Sequence, residues 1–241
     1  MLRRDFLKGA AGSAAIPLFS IGQQVVAKKK IRLGLIGCGP GADKLPAARG
    51  KGSADMEKRD EARFRSATFA GGCFWCTEGI FERLRGVERV VSGYSGGHVE
   101  RPTYEQVSGG DTGHAEAVEI TYDPAVISYA ELLEVFWKTH DPTTPNRQGY
   151  DVGPQYRSVV FYHDGEQKAL AEELKARLEA ERIWDRPIVT EIVPRGVFWP
   201  AEDYHQDYYD RNPEKAYCRS VITPKIEKFR KIFRDKIKGT G

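Results

Sequence analysis

Two cysteines separated by two aromatic residues offer the clearest chemistry in this sequence. Cys73, Phe74, Trp75 and Cys76 directly follow the pair Gly71-Gly72. A glycine pair lets a strand turn sharply into a helix, which would leave Cys73 in the first helical turn. Free backbone amides and the helix dipole favour negative charge there and lower a thiol pKa. We therefore predict that Cys73 is a reactive nucleophile.

The residues next to Cys73 allow several interpretations. Phe74 and Trp75 can wall an apolar pocket, for example one that holds a methyl group on sulfur, or they can be core residues. Cys73 and Cys76 have the spacing of a redox pair. A structural zinc site would need further ligands at short spacing, and the five histidines of the chain are scattered. The spacing therefore favours redox chemistry over metal binding.

A carboxylic acid near this motif could complete the chemistry. Glu116 closes the segment Gly-His-Ala-Glu just before a predicted strand, where it could also be a plain surface residue. Four tyrosines lie in the loops around the same motifs: Tyr94, Tyr104, Tyr150 and Tyr156. A glutamic acid kept protonated by an apolar site, together with tyrosine hydroxyls, suits a reaction in which an S=O oxygen must take up a proton.

Regular strands and helices must position these groups, and their signals begin at about Phe64. Alternating or continuous apolar residues predict strands over 67–70, 86–94, 117–122, 157–163 and 188–193. A Gly-rich loop is expected over 95–113. Helices are predicted after Cys73, over 128–140 behind a Ser128-Glu131 capping box, after Asp164, over 202–211 and from Ile226 onward. Because strands and helices mix without a strict βαβ rhythm, we expect an α+β fold. It would be a single two-layer sandwich domain with a mixed, mainly antiparallel sheet and flanking helices.

Composition narrows the class of protein. The chain has 241 residues, 40% hydrophobic and 29% charged, with a formal net charge of +3. These values are typical of an ordinary soluble globular protein that needs no disulfide framework. The basic residues do not form a nucleic-acid-binding module, and no apolar run beyond the N-terminal region is long enough to span a membrane. We expect a monomer.

The N-terminal region resembles a targeting signal. Arg3-Arg4 precedes a mildly apolar stretch, which is the layout of a twin-arginine export signal over residues 1–27. Residues 1–41 also resemble the exported start of glucose-fructose-oxidoreductase-type proteins, but no second strand with an acidic residue follows their glycine cluster. Residues 28–63 are therefore interpreted as a linker or a truncated relic of a nucleotide fold. Translation from Met56 would instead give a cytoplasmic protein.

Several motifs in collinear order resemble peptide methionine sulfoxide reductases of the A class. The resemblance runs from about Ala67 to Lys225, so residues 64–225 are predicted to form the reductase domain and residues 226–241 a basic amphipathic helix. Its motifs are GGCFWCTE, SGYSGG, PTY, GDTGHAE, YDPAVISY, FWKTHDP, NRQGYDVGPQYRS and AEDYHQ.

This resemblance implies the roles of the site residues. Cys73 would attack the sulfoxide sulfur and become a sulfenic acid, and Glu116 would protonate the oxygen. Tyr104 and Tyr156 would hydrogen-bond that oxygen. The resemblance further implies that Phe74 and Trp75 hold the methyl group and help select the S epimer, and that Asp151 and His205 support the site.

Regeneration would follow through a disulfide that thioredoxin or a similar dithiol reduces, with no metal, flavin or other bound cofactor. The first choice of resolving cysteine is Cys218, because it lies on a flexible tail that can swing in, and the alternative is Cys76, which lies one turn along the same helix. Two other functions stay open from the sequence. One is a general dithiol-disulfide oxidoreductase that uses Cys73 and Cys76. The other is a non-catalytic nucleotide-binding or scaffold protein that keeps the N-terminal glycine cluster.

Overall fold

A computed structural model describes residues 63–239 of the chain. The signal predicted over residues 1–27, the linker up to residue 62 and the alternative start at Met56 lie outside this range. Within it, no helix has the length and apolar character needed to cross a membrane.

One six-stranded sheet forms the centre of the fold. Its strands lie in the order β7-β6-β1-β3-β2-β8, and every neighbouring pair is antiparallel except β6 and β7. A short hairpin of β4 and β5 stands apart from the sheet. The strands are β1 (Arg65–Gly71), β2 (Val87–Ser95), β3 (Ala115–Tyr122), β4 (Arg147–Gln148), β5 (Asp151–Val152), β6 (Ser158–Tyr162), β7 (Glu191–Pro194) and β8 (Phe198–Pro200).

Helices pack against this sheet and complete the fold. They are α1 (Phe74–Phe81), α2 (Tyr104–Gly109), α3 (Tyr129–Thr139), α4 (Gly165–Ala180), α5 (Tyr208–Arg211) and α6 (Thr223–Ile232). Short 3-10 turns cover Pro154–Tyr156, Asp203–His205 and Arg234–Lys236, and one π-helical turn covers Cys218–Ile222. The predicted α+β fold with a mixed, mainly antiparallel sheet is confirmed.

Side-chain caps fix where several helices begin. Ser128 and Glu131 form the predicted capping box of α3, and Asp164 accepts the amide hydrogen of Gln167 at the start of α4. Thr103 and Gln106 form a second capping box, which starts α2 inside the segment predicted as a loop. This box satisfies free amides at the helix start, so a helix of six residues forms in a glycine-rich stretch.

The two faces of the sheet carry two separate apolar clusters. The larger cluster lies between the sheet and the helices and includes Phe69, Ile120 and Phe136. The smaller cluster on the other face consists of small residues and Phe161, with Val193 and Phe198 packed against it. Odd and even residues of a strand face opposite sides, so the even-numbered Glu116 of β3 points with Val118 and Ile120 toward the helices.

The C-terminal helix is part of the main core. Helix α6 begins at Thr223 and ends at Ile232, and it buries Ile226 and Phe229. Pro224 has no amide hydrogen, yet the helical path continues through it because the preceding turn is π-helical, with the Thr223 amide donating to the carbonyl of Cys218. Ile237 then pairs with Leu84 in an isolated bridge, which ties the chain end to the loop after α1.

Candidate active site

Three neighbouring strands bring the candidate residues to one end of the sheet. Strand β1 ends just before Cys73, β2 ends just after Tyr94, and β3 begins just before Glu116. Because β3 is antiparallel to both neighbours, the ends of β1 and β2 and the start of β3 lie at the same end of the sheet. Tyr94 lies directly opposite Glu116 in the register of β2 and β3.

Gly72 makes the turn from β1 into α1. Its φ angle is +93°, a value that residues with a side chain rarely adopt. A Cβ at this position would lie 2.5 Å from Cβ of Gln148, so the close approach of β4 also needs the glycine. Cys73 follows with extended backbone (φ −51°, ψ 123°) and is the N-cap of α1, one position before the first helical turn.

The Cys73 thiol is enclosed, which changes its expected acidity. The residue is 5% exposed, and its side chain makes no capping hydrogen bond to the helix amides. Burial raises the pKa of Cys73 well above that of a free thiol, and the hydrogen bond with Cys76 and the negative charges of Cys76 and Glu116 add to this effect. The prediction of a low pKa at Cys73 is therefore wrong for the enclosed protein, because burial outweighs the helix dipole.

Glu116 lies beside Cys73 and binds the start of the helix. Its Oε2 accepts the backbone N–H of Phe74 at 3.0 Å, which occupies one free amide of the first turn. The side chain is 2% exposed. Burial raises the pKa of Glu116 to about 8, although the Phe74 hydrogen bond acts in the opposite direction. Glu116 is therefore mostly protonated at neutral pH and can donate a proton.

Two of the four tyrosines that surround the motifs lie next to this acid. After burial, the charge of Glu116 is the largest cause that raises the pKa of Tyr104 and of Tyr156, so both phenols remain protonated hydrogen-bond donors. Tyr94 instead donates its hydroxyl hydrogen to Oε2 of Glu202 at 2.9 Å. Tyr150 is 94% exposed.

The aromatic pair after Cys73 divides between the core and the site surface. Phe74 is 1% exposed and packs on Tyr104 and His205, with ring centroids 6.5 and 5.2 Å away. Trp75 is partly exposed and stacks on Tyr208 at 3.7 Å between ring centroids. The two rings therefore have different roles. Phe74 is a core residue that supports Tyr104 and His205, whereas Trp75 can form an apolar wall at the site surface.

His205 fixes the orientation of Trp75. The indole N–H of Trp75 donates to Nδ1 of His205 at 3.1 Å. Burial lowers the pKa of His205, and its Nδ1 already accepts a hydrogen bond, so the neutral ring carries its proton on Nε2. That Nε2 is 3.9 Å from Oε2 of Glu202.

Asp151 and Tyr217 close the side of the site next to the cysteines. The Tyr217 hydroxyl donates to Oδ2 of Asp151 at 2.8 Å and also lies within hydrogen-bonding range of both thiols. Cys76 is 3% exposed and shares a hydrogen bond with Cys73. The structure thus gathers Asp151 and the Cys73-Cys76 pair around one tyrosine.

Cys218 lies close to the Cys73-Cys76 pair. It does not lie on a flexible tail, contrary to the prediction from the sequence. It is fully buried in the π-helical turn and belongs to the same core cluster as Cys73 and Cys76. All three thiols are unbridged. Reaction of Cys218 with Cys73 would require this buried turn to open.

Two residues of the site were absent from the sequence-based set. Glu202 anchors α2 by accepting the backbone N–H of Tyr104 at 2.9 Å, in addition to the hydroxyl of Tyr94. Tyr217 was missed although it adjoins Cys218. Glu202 precedes Asp203-Tyr204-His205, and Tyr217 precedes Cys218. These positions were the only sequence signals for the two residues, and neither signal is specific to an active site.

The described part of the chain also bears on the zinc alternative. Across residues 63–239, no group of three or more His, Cys, Asp or Glu side chains is arranged to hold a metal ion. The cysteines instead contact a carboxylic acid, phenols and each other.

Comparison with known families gives an independent view of this arrangement. The family model for peptide methionine sulfoxide reductase matches residues 65–237. A peptide methionine sulfoxide reductase MsrA 1 of Rhodopirellula baltica is 57% identical over 175 residues, which cover 73% of this chain and 90% of the relative. The MsrA of Thermus thermophilus is 55% identical over 168 residues, or 70% of this chain and 94% of the relative.

Solved structures agree with these matches in fold. The chain is similar to reduced Mxr1 from Saccharomyces cerevisiae, with a TM-score of 0.60 and 36% identity, covering 65% of this chain and 90% of that one. It is also similar to methionine sulfoxide reductase A of Corynebacterium diphtheriae, with a TM-score of 0.58 and 33% identity over 64% of this chain and 77% of that one.

Proposed function

The chain belongs to the peptide methionine sulfoxide reductase family and is an enzyme of this class, and from this premise we propose that Cys73 reduces the S epimer of methionine sulfoxide. The substrate would be either a residue in an oxidised protein or free methionine sulfoxide. The proposal is carried by one observation: a buried, mostly protonated Glu116 is held beside the thiol of Cys73 by the Phe74 amide. The physiological role would be repair of oxidised proteins.

The chemical step follows from this arrangement. The Cys73 thiolate attacks the sulfoxide sulfur while Glu116 gives its proton to the sulfoxide oxygen. This proton neutralises the negative charge that develops on the oxygen and makes the sulfur a better electrophile. The sulfur–sulfur bond formed by this attack and the S–O bond to methionine then break as the protonated oxygen passes to the Cys73 sulfur, which leaves a sulfenic acid on Cys73 and releases methionine. Sulfur in the substrate is reduced by two electrons, and the Cys73 sulfur is oxidised by two.

Substrate positioning is assigned to the aromatic residues. Tyr104 and Tyr156 would donate hydrogen bonds to the sulfoxide oxygen, since both are protonated and lie next to Glu116. Phe74 and Trp75 would hold the methyl group against an apolar wall and so favour the S epimer. His205 orients Trp75, and Asp151 orients Tyr217 near the thiols.

The proposed activity is tested by the reduction of each epimer of a peptide containing methionine sulfoxide, with dithiothreitol as reductant. We expect the S epimer to be reduced and the R epimer to be left intact. Insulin disulfide reduction, measured alongside, addresses the alternative of a general dithiol oxidoreductase. Absence of reduction of either epimer would sink the proposal, and efficient reduction of insulin alone would favour the alternative.

Regeneration is proposed to occur through Cys76, with Cys218 as the other candidate. Cys76 already shares a hydrogen bond with Cys73, whereas Cys218 is enclosed in the π-helical turn. Cys73 is the N-cap residue, so its extended backbone lies outside the helix and leaves freedom to approach Cys76. The thiol of Cys76 displaces water from the Cys73 sulfenic acid, and thioredoxin or a similar dithiol reduces the resulting disulfide.

Mass spectrometry after one equivalent of sulfoxide identifies the resolving residue. We expect a digest of the full chain to contain a Cys73–Cys76 disulfide. The Cys218→Ser variant should retain the Cys73–Cys76 disulfide and continue to turn over with thioredoxin. A Cys73–Cys218 disulfide in the wild type, with loss of thioredoxin-linked turnover in Cys218→Ser, would assign the role to Cys218 instead.

Export remains part of the proposal. The twin-arginine pattern over residues 1–27 supports a periplasmic protein, and a start at Met56 would give a cytoplasmic one. The intact mass of the protein recovered from periplasmic and cytoplasmic fractions of its native cells distinguishes these cases. A mature chain beginning near Lys28 in the periplasm is expected, and a chain beginning at Met56 would contradict export.

A further inference from the structure

A partly buried lysine contacts the second cysteine of the pair. Nζ of Lys225, in α6, lies 3.7 Å from Sγ of Cys76, in α1. Cys76 is only 3% exposed, so this ammonium group acts across a poorly solvated gap. A positive charge at such a distance stabilises a thiolate relative to a thiol, and it does so more strongly than it would in water.

The other groups around Cys76 come from several elements and act in both directions. The hydrogen bond from Cys73 and the charge of Lys225 favour a Cys76 thiolate, and the nearby hydroxyl of Tyr217 adds a smaller effect in the same direction. Burial and the charge of Asp151 oppose it. Glu116 and Cys218 also lie within electrostatic range of Cys76. The favourable contacts prevail and lower the pKa of Cys76 to about 7, with the Cys73 hydrogen bond as the largest cause.

The same contacts distribute one proton unequally within the pair. Burial raises the pKa of Cys73, and the hydrogen bond with Cys76 raises it further. The ammonium group of Lys225 lies 3.7 Å from the Cys76 sulfur, so a negative charge carried by the pair is favoured on Cys76 and the remaining proton on Cys73. The nucleophile consequently needs a base before it can attack, and its hydrogen-bonding partner Cys76 can serve as one.

We propose that Cys76, held as a thiolate by Lys225, is the base that removes the proton from Cys73 before Cys76 acts as the resolving thiol. This rests on the proposed function, and it gives Lys225 the role of a positioning residue that acts through Cys76. A cysteine that only forms the disulfide would need neither to act as a base nor to be stabilised as a thiolate by Lys225.

The proposed sequence balances in protons and electrons. Cys73–SH transfers its proton to Cys76–S⁻, and the new Cys73 thiolate attacks the sulfoxide while Glu116 protonates the oxygen. Methionine leaves, Cys73 becomes a sulfenic acid, and Cys76 is now a thiol. That thiol attacks the sulfenic sulfur, and its proton leaves with the hydroxyl group as water. Glu116 is then reprotonated from solvent.

A narrow pH optimum follows for the first reduction. Cys76 must be ionised, which requires a pH above about 7, and Glu116 must be protonated, which requires a pH below about 8. The rate of methionine formation in a single turnover should therefore rise through the first value and fall through the second. Lys225 controls only the rising side of this profile.

Replacement of Lys225 tests the proposal in the full-length reduced protein. In Lys225→Met, we expect the ultraviolet absorbance of the thiolate to appear at higher pH, and single-turnover methionine formation at pH 7 to slow by about tenfold, since a neighbouring charge shifts a pKa by about one unit or more. The falling side of the profile should stay in place. Lys225→Arg should restore most of the rate, because it restores the charge.

Lys228→Met is the matched control. Lys228 lies on the same helix but is exposed, so its loss should change neither the thiolate titration nor the pH profile. If Lys225→Met is folded by circular dichroism and still has the wild-type pH profile, the proposed role of Lys225 is wrong. If the wild type itself forms no methionine, the proposed function fails instead.

Cys76→Ser separates the base from the resolving thiol. We expect its single-turnover rate to fall at neutral pH and to stay below the wild-type rate over the whole pH range in which Glu116 is protonated, because Cys73 itself ionises only at higher pH. A cysteine that only resolved the sulfenic acid would leave this first reduction at the wild-type rate. A wild-type rate in Cys76→Ser would therefore refute the role of Cys76 as a base. It would not contradict the proposed Cys73–Cys76 disulfide.

Discussion

Cys73→Ser is expected to reduce turnover by about 10⁴-fold or more, to below detection in a methionine sulfoxide assay. A nucleophile that forms the covalent intermediate contributes more than any supporting group, and a serine hydroxyl is far less nucleophilic and is not ionised at neutral pH. The serine fits the enclosed space of the thiol, so the fold should persist. Both turnover with dithiothreitol and formation of one equivalent of methionine should be measured.

The matched control for this change is Cys38→Ser. Cys38 lies far from the reductase domain in sequence, so its loss should leave both measurements at the wild-type level. Detection of one equivalent of methionine in Cys73→Ser would show that another thiol attacks the sulfoxide. Such a result would transfer the role of nucleophile to Cys76 or Cys218.

Glu116→Gln is expected to slow the first reduction by about 10²–10⁴-fold, the usual contribution of a positioned proton donor. The amide oxygen can still accept the Phe74 amide hydrogen, so the helix start should be kept, but the amide cannot supply a proton to the sulfoxide oxygen. Raised above its ordinary value, the pKa of Glu116 leaves the acid protonated below about pH 8 and ionised above it. The wild-type rate should therefore fall as the pH rises through about 8, and this fall should disappear in the variant.

Glu119→Gln is the control for Glu116. It lies on the same strand but faces the opposite side of the sheet, where its Oε2 pairs with Arg195 at 2.6 Å. The rate and the pH profile of Glu119→Gln should match those of the wild type. A falling limb that persists in Glu116→Gln would mean that a different group donates the proton.

Local sequence signals were enough to predict five of the six strands of the sheet, the turn at Gly72 and the starts of α1, α3 and α4, whereas β8 was not predicted. The capping box at Ser128 and the cap at Asp164 are formed within a few residues, so no knowledge of distant contacts was needed. The box formed by Thr103 and Gln106 carried the same kind of signal, but the surrounding glycines favoured a loop. Its helix lies in the segment predicted as a loop, because a glycine-rich composition is typical of loops.

The acidity of the thiols could not be predicted in this way. A helix start suggested a low pKa at Cys73, but the degree of burial depends on side chains far along the chain. The approach of Lys225 to Cys76 joins residues separated by 149 positions, and nothing in either local sequence indicates it. Sequence patterns therefore located the reacting sulfur atoms, whereas the distribution of charge between them required the packed structure.

The π-helical turn gives the C-terminal helix its rotational phase. Tyr217 and Lys225 are eight residues apart, and in a regular α-helix they would point about 80° away from each other. A π turn takes up one extra residue, which turns Lys225 back to within about 20° of Tyr217. Both polar groups thus reach the sulfur atom of Cys76, while Ile226 and Phe229 keep their places in the core. Loss of one residue from this turn would rotate one of these two sets away from its partners.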